Sequence, residues 1–178
     1  MKLQQALFSL ILTIALPLIV QAQDRATELS PAVRAQVFEL LSYQCGVAEE
    51  AARFRAAIAR LGPAVEPLLL SVLAEGAPES VRDSAAYHAA TRYSQQRAWL
   101  AENELRGEDS SRVAELSRDG YVDDVLRRLN VLYRENAVRG LGVVGGTGAL
   151  EDVAAAAKRV PDLAILADQA IQEIRRRH

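Results

Sequence analysis

The sequence predicts an all-α fold, an α-solenoid of stacked antiparallel helix pairs, and three observations predict it. No segment shows the period-two alternation and β-branched content of a strand; Val143-Val144 is among the brief exceptions. Apolar residues instead recur at helical spacing, as in Val122, Val125, Leu126 and Leu129 at i, i+3, i+4 and i+7. The chain also repeats itself: Leu163 follows Tyr133 by 30 residues (163 − 133), and the same pattern starts from each. Alanine stands four places on (Ala137, Ala167), a small residue at seven (Gly140, Ala170), Leu141 or Ile171 at eight, and Val144 or Ile174 at eleven. A stack of helix pairs needs this arrangement, with small residues where neighbouring helices touch.

The first element is a targeting segment. Lys2 supplies a positive charge, and Ala6–Val20 is an apolar run broken only by Ser9, Thr13 and Pro17. Val20-Gln21-Ala22 places small residues at the third-last and last positions before a cut, the pattern of a secretory signal cleaved between Ala22 and Gln23. The run is shorter than the ~20 residues of a spanning helix, so a retained N-terminal anchor is the less favoured alternative. Residues 1–22 are thus expected to be a signal peptide, 23–30 a flexible lead-in and 31–178 one helical repeat domain, in a periplasmic or secreted protein.

Ser30-Pro31 starts the first helix, with Ser as cap and Pro in the first turn. Its stripe is Val33, Val37, Leu40 and Leu41, and Gly46 is its expected stop. Glu49–Leu61 is a second helix, ended by Gly62-Pro63. Val65–Leu73 is a buried third, closed by Gly76-Ala77-Pro78. Ser80-Val81-Arg82-Asp83 reads as a capping box that opens a helix through Ala90, with Gln95–Leu105 as its partner. Gly107–Ser111 is the most solvated loop. A short helix from Arg112 ends at Asp119-Gly120, and the terminal repeats start near Asn130. Connections are short throughout, which suits about eight to ten helices.

Tyr133–Gly145 resembles the short HEAT-like repeat of bacterial proteins, Val-Arg-x-x-Ala-Ala-x-Ala-Leu-Gly-x-Ile-Gly, at Arg134, Ala137, Leu141, Gly142, Val144 and Gly145. Ala149–Lys158 matches its second helix, and Leu163 opens the next copy, with Ala164 where Arg is usual and Gln172 where Gly is usual. Val81-Arg82, Ala85 and Ala86 open another copy, and Ala57 with Leu61-Gly62 a fainter one; Leu105–Leu129 fits poorly. The resemblance implies an α-solenoid with a binding surface on one face, and no particular activity.

Composition narrows function further. Without residues 1–22 the chain would hold 156 residues (178 − 22), enough for a domain with a real core. Losing Lys2 leaves 20 basic and 23 acidic residues, a net charge of −3, which draws the molecule to neither nucleic acid nor an anionic membrane. Cys45 is the only cysteine, so no internal disulfide is possible. Its readings are a small buried apolar residue, a disulfide to another chain, or a reactive thiol, in that order.

Gly140-x-Gly142-x-x-Gly145 spells the dinucleotide fingerprint, but a charged, helical stretch precedes it where a strand is required; packing and termination of helices explain the glycines. Ser84 and His88 are four residues apart, while Asp83 points to a different face, so no triad forms and His88 reads as a helix-interface residue. There is no zinc spacing. Glu102, Glu104, Glu108 and Asp109 lack EF-hand order and read as a solvated acidic loop. Arg175-Arg176-Arg177 meets the macrodipole of its own helix, or else a partner or an anionic surface. Aromatic and Arg residues favour interfaces, so Tyr87, Arg92, Arg97 and Trp99, with Tyr93 among them, form the candidate protein-binding patch, although a lone Trp is more often core.

The function expected is therefore a non-enzymatic interaction scaffold or adaptor for another envelope or secreted protein. No catalytic, cofactor or metal site is expected, nor stable membrane insertion after cleavage, and the oligomeric state is left open. The C-terminal copy, still apolar at Ile165, Leu166 and Ile171, is expected to cap the array or to meet a partner. The alternatives are an enzyme accessory and a small-molecule-binding helical bundle of the envelope.

Overall fold

The computed structural model of the protein describes residues 29–45, 47–103 and 117–178, the side chains of 96 and 99–103 excepted. The described residues are all-α, with seven α-helices, two short 3-10 turns and no strand. The helices are α1 Pro31–Leu41, α2 Ala48–Leu61, α3 Glu66–Glu75, α4 Glu79–Asn103, α5 Arg118–Val144, α6 Ala149–Arg159 and α7 Ala164–Arg177. The 3-10 turns, Pro63–Val65 and Pro161–Leu163, each start with proline and lead directly into α3 and α7. The chain divides into two units, one ending at Gln36 and the other running Val37–His178. In the first, Ser30 starts α1 as expected, its Oγ accepting from Val33 N at 3.3 Å. The second holds the rest of the fold.

Its centre is α5, which packs against α2, α3, α4 and α7. Helix α6 lies against α3 and α7. The residues of α5 explain this position. Gly140 and Gly142 are 200° apart on the helical wheel at about 100° per residue, so they open opposite sides. A Cβ at Gly140 would stand 3.0 Å from Leu69 Cδ1 of α3, and one at Gly142 would stand 3.3 Å from Ala170 Cα of α7. The glycines therefore let two helices approach α5 at once. Tyr133, Ala137, Val138 and Leu141 of α5 are buried with Phe54 and Ile58 of α2, Leu69, Val72 and Leu73 of α3, Val153 of α6, and Leu163, Ala167, Ala170 and Ile174 at α7.

The 30-residue pattern has a structural counterpart. Tyr133 and Leu163, Ala137 and Ala167, and Gly140 and Ala170 are buried pair by pair. At the two outer positions burial is unequal: Leu141 and Ile174 are buried, whereas Ile171 and Val144 are partly exposed.

Several boundaries differ from the sequence expectation. Helix α1 stops at Leu41, closed by Ser42 N to Glu39 O and Tyr43 N to Leu40 O, so Cys45 lies beyond the helix rather than at its end. The capping box at Ser80 is not made: Pro78 O accepts from Val81 N and Arg82 N, and the helix is already under way at Glu79. Where two helices were expected between Ser80 and Leu105, α4 runs unbroken for 25 residues. Asp119-Gly120 does not end a helix; it lies in the first turn of the 27-residue α5, whose cap Ser117 accepts from Gly120 N at 3.0 Å. Asn130 is accordingly mid-helix. The chain also turns through 95° between α2 and Pro63–Glu75, so the first pair is closer to perpendicular than antiparallel. Among the described residues no single helix is long and apolar enough to cross a membrane.

The signal segment 1–22 with its cut at Ala22 and Gln23, the lead-in up to residue 28, the stop at Gly46, the loop Gly107–Ser111, the helix from Arg112, and Glu104, Glu108 and Asp109 all lie outside the described residues.

Candidate functional site

Helix α4 carries the expected binding patch. It packs on α5, and Ala89 is the one buried residue among its described side chains. Tyr87 is 71% exposed. Its ring meets that of His88 edge to face, with centroids 5.5 Å apart. His88, Arg92 and Arg97 are exposed too, so His88 is a surface residue and not the helix-interface residue expected.

The patch does not form one face. At about 100° per residue, Tyr87 and Arg92 are about 140° apart, and Tyr87 and Arg97 about 80°. His88, Arg92, Gln95 and position 99 instead follow i, i+4, i+7 and i+11, a single stripe on continuous helix. His88, Arg92 and Gln95 are exposed along it; the side chain of Trp99 lies outside the described residues. Tyr93 turns the other way, towards α5, and its ring lies 5.6 Å from that of Tyr121. The sequence cluster thus resolves into a basic, hydrogen-bonding stripe with Tyr87 at its rim. Ser84 is exposed one turn before His88, with Asp83 beside it.

Two open grooves flank this surface and the stack. One, about 170 Å³, lies between α2, α5 and α7 and is lined by Ala51, Arg55, Arg139, Leu166, Gln169, Ala170 and Glu173. Its charges are matched internally: Arg55 bridges to Glu173 at 3.0 Å, and Arg139 donates to Asn136 Oδ1 at 3.1 Å. The other, about 340 Å³, lies between α4 and α5 and is lined by Ala86, Ala90, Arg118, Asp119, Val122 and Asp123. Neither joins enclosed apolar walls to convergent polar groups, as small-molecule sites do.

Cys45 is partly buried near Arg139, Glu50 and Glu135. Burial pushes its thiol pKa up and Arg139 opposes this only in part, so the thiolate is disfavoured. No group of three His, Cys, Asp or Glu that would hold a metal occurs among the described residues. The glycines of the dinucleotide-like motif lie within α5 and at its C-cap, Gly145, whose N–H bonds Leu141 O at 2.7 Å; no strand delivers a phosphate to a helix N-terminus there.

Sequence reasoning missed the polar residues that join the helices. Asn136 is fully buried, and its Nδ2 donates to Leu41 O at 2.9 Å and Tyr43 O at 2.7 Å, just past α1. Asn130 Oδ1 accepts from Ala77 N at 3.0 Å, and Arg134 donates to Ala74 O at 3.2 Å, at the end of α3. Arg177 donates to Gly142 O and Gly145 O at the end of α5. Three helix C-termini are thus met by side chains from other helices, where orphan carbonyls need donors. Arg177 serves the dipole of α5 rather than that of its own helix, while Arg175 and Arg176 remain exposed. The signal was present: Leu129, Tyr133, Asn136, Ala137 and Gly140 continue one helical stripe, so an Asn on it is buried and must be bonded.

No protein-family model, no curated protein and no solved structure matches the chain.

Proposed function

We propose that the chain is an exported scaffold of HEAT-like repeats that binds another envelope or secreted protein without catalysing a reaction. The observation that carries this reading is the burial of the repeat positions Tyr133, Ala137 and Gly140 of α5 together with their counterparts, Leu163 at the end of the 3-10 turn and Ala167 and Ala170 on the neighbouring helix α7. A repeat stack of this kind works through its surface. Helix α7 suits a terminal cap: apart from Ile165, which is 75% exposed, its outward positions are polar or Ala164. The 95° turn after α2 and the lengths of α4 and α5 make this an irregular array. The apolar run Ala6–Val20 and the small residues before Gln23 support export.

The binding surface in this reading is the α4 stripe His88, Arg92 and Gln95, with Tyr87 at its rim. Between Ser84 and Ala101 the helix has Arg92 and Arg97 and no acidic residue, so the partner presents carboxylates to it. Crosslinking of the purified chain to an envelope extract, with mass spectrometry of the adducts, tests this. One protein captured by the wild type and lost with His88→Ala/Arg92→Ala, at unchanged melting temperature, is the expected outcome. Equal capture by both forms contradicts the assignment of the face. Capture of no protein contradicts the adaptor reading.

A further inference from the structure

The hairpin of α4 and the first half of α5 is held by few buried side chains. Ala89 is the one buried residue among the described side chains of α4, and from Arg118 to Leu132 α5 has none. Across this thin packing two phenol rings meet. Tyr93 of α4 and Tyr121 of α5, 28 residues apart in sequence (121 − 93), have ring centroids 5.6 Å apart and planes inclined by 39°. Packed aromatic pairs have centroids about 4.5–7 Å apart, so the rings are in contact. Both residues are partly exposed, so an oxidant in solvent reaches them.

The chain has five tyrosines, and the other three are placed differently. Tyr133 is buried, with its O–H donating to Phe38 O at 3.4 Å. Tyr43 O–H donates to Glu39 Oε1 at 3.3 Å, and the Tyr87 ring meets that of His88. Tyr93 and Tyr121 are thus the two phenols that the fold sets against each other.

We propose that Tyr93 and Tyr121 form a modification site, an oxidative coupling pair that ties α4 to α5 as dityrosine. The co-reactant is hydrogen peroxide acting through a one-electron oxidant of the haem-peroxidase class. Each phenol gives one electron to the oxidant and its O–H proton to water, leaving two neutral phenoxyl radicals. The radicals combine in one C–C bond between the ring carbons next to the two oxygens. The hydrogens on those carbons leave as protons while both oxygens are reprotonated, and the phenols are restored. In sum the chain loses two electrons and two protons, and one hydrogen peroxide becomes two waters. Coupling draws the rings nearer than they stand, and a hairpin with so few buried residues lets them close. A radical on a separate chain has to diffuse to its partner, whereas here the partner is already in contact, which favours the bond within one chain. Cys45 is the only cysteine, so no disulfide ties this hairpin. Tyr93 turns towards α5 and away from the His88, Arg92 and Gln95 stripe, so the coupling stands or falls independently of the proposed partner face.

Peroxidase treatment of the full chain tests the pair. The folded chain, kept dilute, is exposed to hydrogen peroxide and a haem peroxidase, then digested and read by mass spectrometry. The expected product has the mass of one chain less two hydrogens and the fluorescence of dityrosine. Its digest is expected to hold one cross-linked peptide pair, joining Tyr93 to Tyr121. The folded chain is expected to give at least about tenfold more of it than the chain in concentrated urea, where nothing holds the rings together. Tyr93→Phe and Tyr121→Phe keep the ring but not the phenol, and each is expected to abolish the product; Tyr87→Phe, at an exposed tyrosine, is expected to leave the yield unchanged. Circular dichroism checks the variants, and the peptide assignment in the wild type stands without them. Equal yields from the folded and urea-treated chain overturn the proposal. So do cross-links made through Tyr43 or Tyr87 in place of this pair, or products formed only between chains.

Discussion

At Asn136 a single amide does the work of a helix cap at a distance. Its two N–H donors reach Leu41 O and Tyr43 O, and its oxygen accepts from Arg139. Replacing it with Leu keeps the volume but leaves those carbonyls without donors in a buried place. Asn136→Leu is therefore expected to lower stability by about 2–4 kcal/mol, since each buried unsatisfied group costs about 1–3 kcal/mol. Urea unfolding measures this, and Gln172→Ala on the exposed side of α7 should change stability by no more than about 0.5 kcal/mol. The two positive-φ glycines give a second comparison. Gly62 has φ 71° with open space where a Cβ would stand. Gly76 has φ 90°, and its Cβ would meet Asn130 Oδ1 at 2.5 Å, the atom that holds Ala77 N. Both alanine substitutions carry the backbone cost of about 1–3 kcal/mol. Gly76→Ala adds displacement of Asn130, so it should unfold at lower urea than Gly62→Ala. The stops at Gly62 and Gly76, which end α2 and α3, were legible in the sequence, because a glycine at a positive φ has one physical use there. The partners of the asparagines were not: a polar side chain on an apolar stripe signals a buried, bonded group, but the backbone groups that these two meet lie 53 and 95 residues away.

Among the elements, α5 is the one that changes character along its length. Its second half is enclosed by α2, α3 and α7, and its first half has α4 beside it with no residue fully buried. Backbone amides open in proportion to how little packing holds them. In the dilute, monomeric chain, hydrogen exchange of α4 and of Arg118–Leu132 is expected to run at least tenfold faster than exchange of Tyr133–Gly142. Mass spectrometry of peptides from the two halves reads this directly, and uniform protection along α5 would contradict the division. Helix identity was readable from periodicity in every described element, and α2, α3 and α6 start and end close to where caps and glycines put them. The long helices were not readable as such. Gly120 and Asn130 look like breaks, yet Gly120 occupies a first turn capped by Ser117 and Asn130 is bonded across to Ala77. Tertiary packing overrides a weak local signal in both cases.

For the whole chain, the proposed binding patch was drawn from composition and not from geometry. Tyr87, Arg92 and Arg97 were recognisable as interface types, but only a continuous α4 shows that Arg92 shares its stripe with His88 and Gln95 while Tyr87 stands at the edge. The most direct test of whether this surface acts by binding is to place a photoreactive group on it. Gln95→p-benzoylphenylalanine puts the probe inside the stripe, and Ser71→p-benzoylphenylalanine puts it on an exposed position of α3 away from it. Irradiated in the native envelope, the Gln95 variant is expected to form one discrete adduct with a different protein, suppressed when His88→Ala and Arg92→Ala are added. The Ser71 variant should form none. Absence of an adduct at position 95, or the same adduct from both positions, would contradict the account.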